Sequence, residues 1–328
     1  MMLPASLARG VAHFAYTPLL ALAAAISFGK LVLYAALIDV EQFGALGKML
    51  LVSTLFGMAG GLGLYLAASR DLPALLVAGR VHRAIALLAQ SAWVTTLTAG
   101  AGMLCALLGA DLFDLTAAEM TLGLLHGWLQ QLFMFAGFDN RSRLALMSYA
   151  RDLFLRAFLC AAVGAAAAGA GLGASGVIVT EAVATAAVGA WMIGGVLRRA
   201  NARWRWLPRL AVRRLNALPW RPSLVLLASS LVAFTSFNLD RWIAAQVLNR
   251  EAFGQYAFAW IALIAAQSVQ MLVNSGLLPL LARRAATGRS ASAVRLTLRV
   301  SIALLAAAGI VGAAGGVAAI HAVERWLP

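Results

Sequence analysis

The chain has 328 residues, of which 62% are hydrophobic and 12% charged, and its mean hydropathy is +0.87. Because about 25% of the residues of a soluble domain are charged, this composition excludes a soluble globular protein and indicates an integral membrane protein. The formal net charge of +14 would suggest a nucleic-acid partner only if the protein were soluble.

Nine apolar stretches are long enough to cross a hydrocarbon core about 30 Å thick, which takes roughly 20 helical residues. The predicted spans cover residues 11–38, 46–68, 84–110, 116–138, 153–169, 174–197, 223–248, 253–281 and 300–323. We therefore predict an all-α integral membrane protein with about nine transmembrane helices.

Basic residues concentrate in alternate connections between these spans. If the N-terminus is cytoplasmic, 21 of the 26 Lys and Arg residues lie in inner segments, and only Arg250 and Arg325 lie in outer segments. This distribution obeys the positive-inside rule, so we predict a cytoplasmic N-terminus and, after nine spans, a C-terminus on the opposite side.

The first span carries Ser27, Lys30 and Tyr34 on one helical face, because they are spaced by three and four residues. A charged side chain inside a span is costly unless it faces a partner or a water-filled cavity. Lys30 is therefore a candidate cavity residue, with snorkelling of its side chain to the outer interface as the alternative.

Further polar residues interrupt the second to sixth spans. Lys48, near the outer end of the second span, either snorkels or forms part of a polar entrance. Glu181, about two turns inside the sixth span, is a candidate proton or cation site, with a protonated, uncharged carboxyl group as the alternative. The remaining residues are most simply interpreted as interhelical hydrogen-bond formers, namely Gln90, His126, Gln130 and Gln131.

Residues 198–222 form the largest predicted extramembrane segment, with eight arginines, no acid and three tryptophans. A basic segment of this kind is expected to lie along the inner surface and to bind anionic membrane lipids. The segment is also the predicted domain boundary. Residues 1–197 form a first six-helix bundle, and residues 223–328 form a second, incomplete three-helix half.

The seventh and eighth spans contain the densest polar pattern. Asp240 and Arg241 lie inside the seventh span, and five polar or aromatic residues recur at helical spacing along the eighth. Those five are Tyr256, Trp260, Gln267, Gln270 and Asn274. Aromatic rings and amides on one face suit sugar binding, whereas interhelical hydrogen bonds with an outer aromatic belt are the alternative interpretation.

A short pattern occurs twice, at residues 38–44 and 248–254, at an offset of 210 residues. Both copies contain Glu-x-Phe-Gly and lie between long apolar stretches, so we interpret them as part of an internal repeat. The same offset places Lys30 opposite Asp240. This leads to the hypothesis that the two side chains face each other.

The repeated turns and their neighbours resemble the O-antigen flippase type of polysaccharide transporter, in the multidrug/oligosaccharidyl-lipid/polysaccharide exporter superfamily. The resemblance lies in residues 37–44, 60–63, 70, 238–241, 253–256 and 274–284. It implies two six-helix bundles that face one another across a cavity and are related as parallel repeats. It also implies a multi-pass protein of the bacterial inner membrane, with a periplasmic C-terminus.

The resemblance further implies a cargo, a lipid-linked oligosaccharide in the form of a polyprenyl pyrophosphate sugar, translocated for surface polysaccharide synthesis. The candidate substrate-binding residues are then Lys30, Lys48, Asp240, Arg241 and the five residues of the eighth span, with Glu181 as the ion-coupling candidate. The second bundle has only three of its six spans. The expected partners therefore include polysaccharide assembly proteins or a chain that supplies the missing helices.

Three other functions are alternatives. An ion-coupled drug exporter of the same superfamily would use an acid such as Glu181, and a truncated paralogue would be inactive. A membrane glycosyltransferase or polymerase would need a sizeable catalytic loop, but the outer loops are short. The sequence has no GxxxxGK[ST] loop for ATP, and Cys105 and Cys160 lack metal-binding spacing, so we expect neither an enzyme nor a cofactor or metal.

The predicted topology can be tested with reporter fusions. A fusion of alkaline phosphatase near Asn216 should be inactive because this segment is cytoplasmic, and a fusion at Pro328 should be active because the C-terminus is periplasmic. Activity near Asn216, or inactivity at Pro328 with normal expression, would contradict the nine-span topology.

Overall fold

The computed structural model describes residues 16–109, 114–212 and 215–260, together with Arg295. Within these residues every regular element is helical. The α-helices are α1 (Thr17–Leu37), α2 (Val40–Ala59), α3 (Leu64–Val77), α4 (Val81–Gly109), α5 (Ala117–Ser142), α6 (Leu146–Gly169), α7 (Gly173–Arg199), α8 (Leu207–Val212), α9 (Trp220–Val247) and α10, whose described part covers residues 250–260. Single turns of 3₁₀ helix lie at Trp204–Trp206 and Leu215–Ala217.

The chain divides into two compact units, Met1–Ala259 and Trp260–Pro328. The helices α1 to α9 belong to the first unit, in which α9 packs against α2 and α3. The segment predicted as a cytoplasmic linker, residues 198–222, lies in the same unit and contains α8, which packs against α4.

Six of the described helices are long and apolar enough to cross a membrane, namely α1, α2, α4, α6, α7 and α9. Large apolar side chains on these helices are exposed, such as Val247 with 76% of its surface accessible. Such a surface is stable against lipid and unfavourable in water, so these helices are those of an all-α membrane protein. The last predicted span and most of the eighth lie outside the described residues, and the total of nine stays a prediction.

The prediction that residues 46–68 form one continuous helix is wrong. The structure ends α2 at Ala59 and begins α3 at Leu64, and the intervening Gly63 has a φ of +74°. Glycine adopts this left-handed conformation without the steric cost that a side chain would bring. Gly63 therefore contributes to the break between α2 and α3.

The two repeated turns have matching local geometry. The backbone is extended at Ile38 after α1 and at Leu248 after α9. The next residues, Asp39 and Asn249, each accept a hydrogen bond from the backbone N–H three residues further on, at 2.7 Å and 2.8 Å. Asp and Asn are both strong N-cap residues, so different side chains start α2 and α10 in the same way.

The two turns also contact each other through glycine. A Cβ atom on Gly44 would lie 1.8 Å from the carbonyl oxygen of Arg250, and one on Gly254 would lie 2.3 Å from that of Val40. Because Val40 and Arg250 occupy the same position in the two turns, the contact is reciprocal. A side chain at either glycine would block this approach of α2 to α10.

Small residues also bring α5 against α2. A Cβ atom on Gly123 would lie 2.8 Å from the carbonyl oxygen of Met49, and one on Gly127 would lie 2.6 Å from that of Ser53. In addition, α5 packs on α7, and α6 packs on both α1 and α7. The helices α1, α2, α5, α6 and α7 therefore surround a shared interior.

The glycine contact predicts a large difference between two alanine variants of α2. Gly44→Ala should lower stability by about 1 to 3 kcal/mol, because its methyl group overlaps the backbone of Arg250. Gly57→Ala is the matched control, since nothing lies within 4 Å of its Cβ position and alanine favours the helix. Thermal unfolding in detergent measures both variants. Equal midpoints for them would show that the close approach is absent.

Candidate functional site

The shared interior of α1, α2, α5, α6 and α7 holds an ion pair. The Nζ atom of Lys30, on α1, lies 2.5 Å from Oε2 of Glu181, on α7. The Lys30 side chain is 13% exposed and that of Glu181 is 3% exposed. Each charge thus has a partner of opposite sign in a region where an unpaired charge would be costly.

The second carboxylate oxygen of Glu181 is also bound. The hydroxyl group of Tyr34, one turn along α1 from Lys30, lies 2.8 Å from Glu181 Oε1 and 2.8 Å from the carbonyl oxygen of Cys160 on α6. A hydroxyl group has one proton, so it donates to one of these acceptors at a time. Tyr34 therefore links α1 to both α6 and α7.

A histidine lies on the other side of the carboxylate. His126, on α5, has its Nε2 atom 3.5 Å from Glu181 Oε2 and its Nδ1 atom 2.8 Å from the hydroxyl oxygen of Ser53, on α2. The Ser53 contact is a hydrogen bond. The Glu181 contact is longer than a normal hydrogen bond, so the imidazole is a polar neighbour of the carboxylate.

Arg156 is a residue that the sequence did not single out as functional. The fifth span was predicted to begin at residue 153, only three residues before Arg156, but α6 begins at Leu146. Arg156 therefore lies ten residues, or about 15 Å, along a membrane-spanning helix. Its Nε–H donates to Thr185 Oγ1 at 3.1 Å, and its guanidinium carbon lies 5.1 Å from the centre of the Phe133 ring.

Lys48 lies in a second charged cluster, at the end of the molecule that the charge pattern predicts to be outer. Its side chain is 1% exposed, and its Nζ atom is 3.3 Å from Asp114 Oδ2 and 3.3 Å from the carbonyl oxygen of Leu248. Arg250 makes two hydrogen bonds of 3.1 Å to the carboxylate of Glu119. These contacts join the repeated turn before α10 to α2 and to the start of α5.

Asp240 and Arg241 lie on α9. The hydroxyl group of Tyr256 donates to Asp240 Oδ2 at 2.7 Å, and Arg241 donates to Asn238 Oδ1 at 3.3 Å. The hypothesis that Lys30 faces Asp240 differs from the structure, because Lys30 binds Glu181. Of the predicted eighth-span stripe, Tyr256 and Trp260 lie on α10. Gln267, Gln270 and Asn274 lie outside the described residues.

The ends of α5, α6 and α7 meet at the predicted cytoplasmic side in a third cluster. Asp139 accepts hydrogen bonds from Arg143 and Arg199, at 2.9 Å and 2.8 Å. Asn140 accepts from Arg199 at 3.0 Å and donates to Asp152 at 2.9 Å. Arg199, near the start of the basic segment, therefore belongs to a hydrogen-bond network that joins the ends of α5, α6 and α7.

No protein-family model, curated protein or solved structure matches this chain. Within the described ranges, no group of three or more His, Cys, Asp or Glu residues is arranged to hold a metal ion. The described site consists of an ammonium group and a carboxylate of opposite charge, on two helices able to cross a membrane.

Single and double substitutions can measure the coupling of the Lys30–Glu181 pair. Lys30→Met and Glu181→Gln should each cost about 3 to 5 kcal/mol, because each leaves the other group buried without its partner. The double variant should cost less than the sum of the two, since neither buried charge is left unpaired. Unfolding in mixed micelles gives the free energies. Additive losses would rule out direct pairing.

The matched control is Asp71→Asn, which breaks the ion pair between Arg70 and Asp71. These side chains are 56% and 32% exposed, so the loss should stay below about 1 kcal/mol.

Proposed function

We propose that this chain is a membrane transporter that translocates a lipid-linked oligosaccharide, a polyprenyl pyrophosphate sugar, across the bacterial inner membrane for surface polysaccharide synthesis. The observation that supports this most is Lys30, a cation inside the membrane-spanning helix α1 that is held by Glu181. A buried ammonium group that can leave its carboxylate provides a binding site for the pyrophosphate of such a cargo.

The cargo would compete with Glu181 for Lys30. A pyrophosphate carries more negative charge than a carboxylate, so its arrival at Lys30 favours release of the Glu181 contact. Arg241, on α9, would contribute a planar donor that binds two phosphate oxygens at once. In this proposal Lys30 supplies a point charge from the first half of the chain, and Arg241 fixes the orientation of the phosphate from the second.

The repeated turns support the proposed architecture of two parallel repeats. The turns at residues 38–44 and 248–254 follow helices of the same direction in the predicted topology, and their caps have the same geometry. In a transporter of this kind, the glycine contact between α2 and α10 would close one end of the cavity and would have to separate when that end opens.

An ion-coupled drug exporter is the second candidate, and the position of Glu181 favours it. The carboxylate lies between Lys30 and His126, so it is within reach of two groups that exchange protons. If Glu181 couples transport to an ion, drug efflux should depend on the gradient of that ion. If the cargo is the oligosaccharide, loss of transport should change the surface glycan.

Glycan export tests the proposed function. In a strain whose surface glycan depends on this protein, Lys30→Ala and Arg241→Ala should each reduce export at least tenfold, because a cargo contact worth about 1.4 kcal/mol or more is lost. Arg151→Ala is the matched control, since this arginine is 64% exposed and lies at the predicted cytoplasmic end of α6.

Export at the wild-type level in both variants, with normal membrane abundance, would refute a cationic cargo site. Loss of drug efflux with intact glycan export would instead favour the drug exporter.

A further inference from the structure

The break between α2 and α3 leaves backbone groups without their helical partners. The last regular bond runs from Gly60 N to the Phe56 carbonyl, at 2.7 Å. Beyond it, Leu62 N donates to the Ala59 carbonyl at 2.9 Å. In a continuous helix Leu62 N would donate to the carbonyl of Met58, so that carbonyl loses its helical donor at this point.

A buried amide faces the same break. The side chain of Gln131, on α5, is 2% exposed, and its Nε2 and Oε1 atoms have no hydrogen-bond partner among the residues that the structure describes. A Cβ atom on Gly61 would lie 2.6 Å from Gln131 Nε2. The absence of a side chain at Gly61 therefore lets the amide of Gln131 lie against the backbone of the break. The sequence predicted that Gln131 forms an interhelical hydrogen bond, but its side chain forms none with the described residues.

A polar group of α4 also lies beside this glycine. Thr95 is fully buried, and its Oγ1 atom is 3.4 Å from the same Cβ position of Gly61. Ser91, one turn away on the same face of α4, is also fully buried, and its hydroxyl group has no partner among the described residues. Gln131 of α5 and Thr95 of α4 therefore both lie beside the backbone of Gly61, and Ser91 lies one turn from Thr95.

Leaving these groups unpaired would cost about 1 to 3 kcal/mol each. A cation would bind the hydroxyl oxygens, but the amide N–H groups of Gln131 would repel it. Water both donates and accepts, so it can bind all of these groups at once.

We propose that ordered water occupies a buried polar pocket beside Gly61, at the break between α2 and α3, where it is bound by the amide of Gln131 and the hydroxyl group of Ser91. In the sequence, Gly61 lies between two glycines that make close contacts. Gly44 contacts α10, and Gly63 contacts the Ser223 carbonyl of α9.

Radiolytic labelling in water enriched in ¹⁸O tests the pocket directly. The sulfur atom of a Ser91→Cys variant should gain ¹⁸O within a short X-ray exposure, because hydroxyl radicals form from the bound water beside it. Ala136→Cys is the control, since Ala136 is 5% exposed within an apolar cluster. The yield at position 91 should exceed that at position 136 at least fivefold. Equal yields would show that the pocket is dry.

Substitution of the amide gives a second, independent result. In a wet pocket, Gln131→Met removes a partner of the water and should lower the thermal midpoint by about 2 to 4 °C relative to Gln130→Met. In a dry pocket, the same change removes an unpaired amide and should raise the midpoint. A raised midpoint would overturn the proposal. Neither measurement depends on transport activity, so its outcome is separate from the test of the proposed function.

Discussion

The contact between Lys30 and Glu181 is the interaction on which the arrangement of α1, α2, α5, α6 and α7 depends. Neither charge is stable alone in the low-dielectric interior of a membrane protein, so α1 and α7 have to meet where the two residues lie. Tyr34 extends the contact to α6, and His126 with Ser53 extends it to α5 and α2. One ion pair and its polar neighbours therefore join five helices.

The glycines determine where helices approach each other around this pair. Gly123 and Gly127 bring α5 onto α2, and the reciprocal contact of Gly44 and Gly254 brings α10 onto α2. Helices in lipid gain little from hydrophobic burial against each other, so close backbone packing and polar contacts hold them together. The helix α2 takes part in both kinds of contact, and it ends within the protein, close to the buried amide of Gln131.

Much of this organisation could be predicted from the sequence. Hydropathy located the helices, and helical spacing placed Lys30 and Tyr34 on one face of α1, where both contact Glu181. The partner of Lys30 could not be predicted, because periodicity describes one helix and pairing depends on how helices pack. Arg156 was missed because charged residues near a helix start lower the local hydropathy and hide the first turns. The break at Gly63 was missed because glycine is also common in continuous membrane helices.

Binding of a prenyl pyrophosphate tests most directly whether the Lys30–Glu181 pair is an anion site. At a concentration about 100-fold above its dissociation constant, farnesyl pyrophosphate should stabilise the purified protein by about 2.7 kcal/mol, and farnesol, which lacks the charged group, should not. The variant carrying both Lys30→Met and Glu181→Gln has neither the ammonium group nor the carboxylate of the pair, so its unfolding midpoint should not respond. An equal stabilisation of the wild-type protein and this double variant would contradict the account.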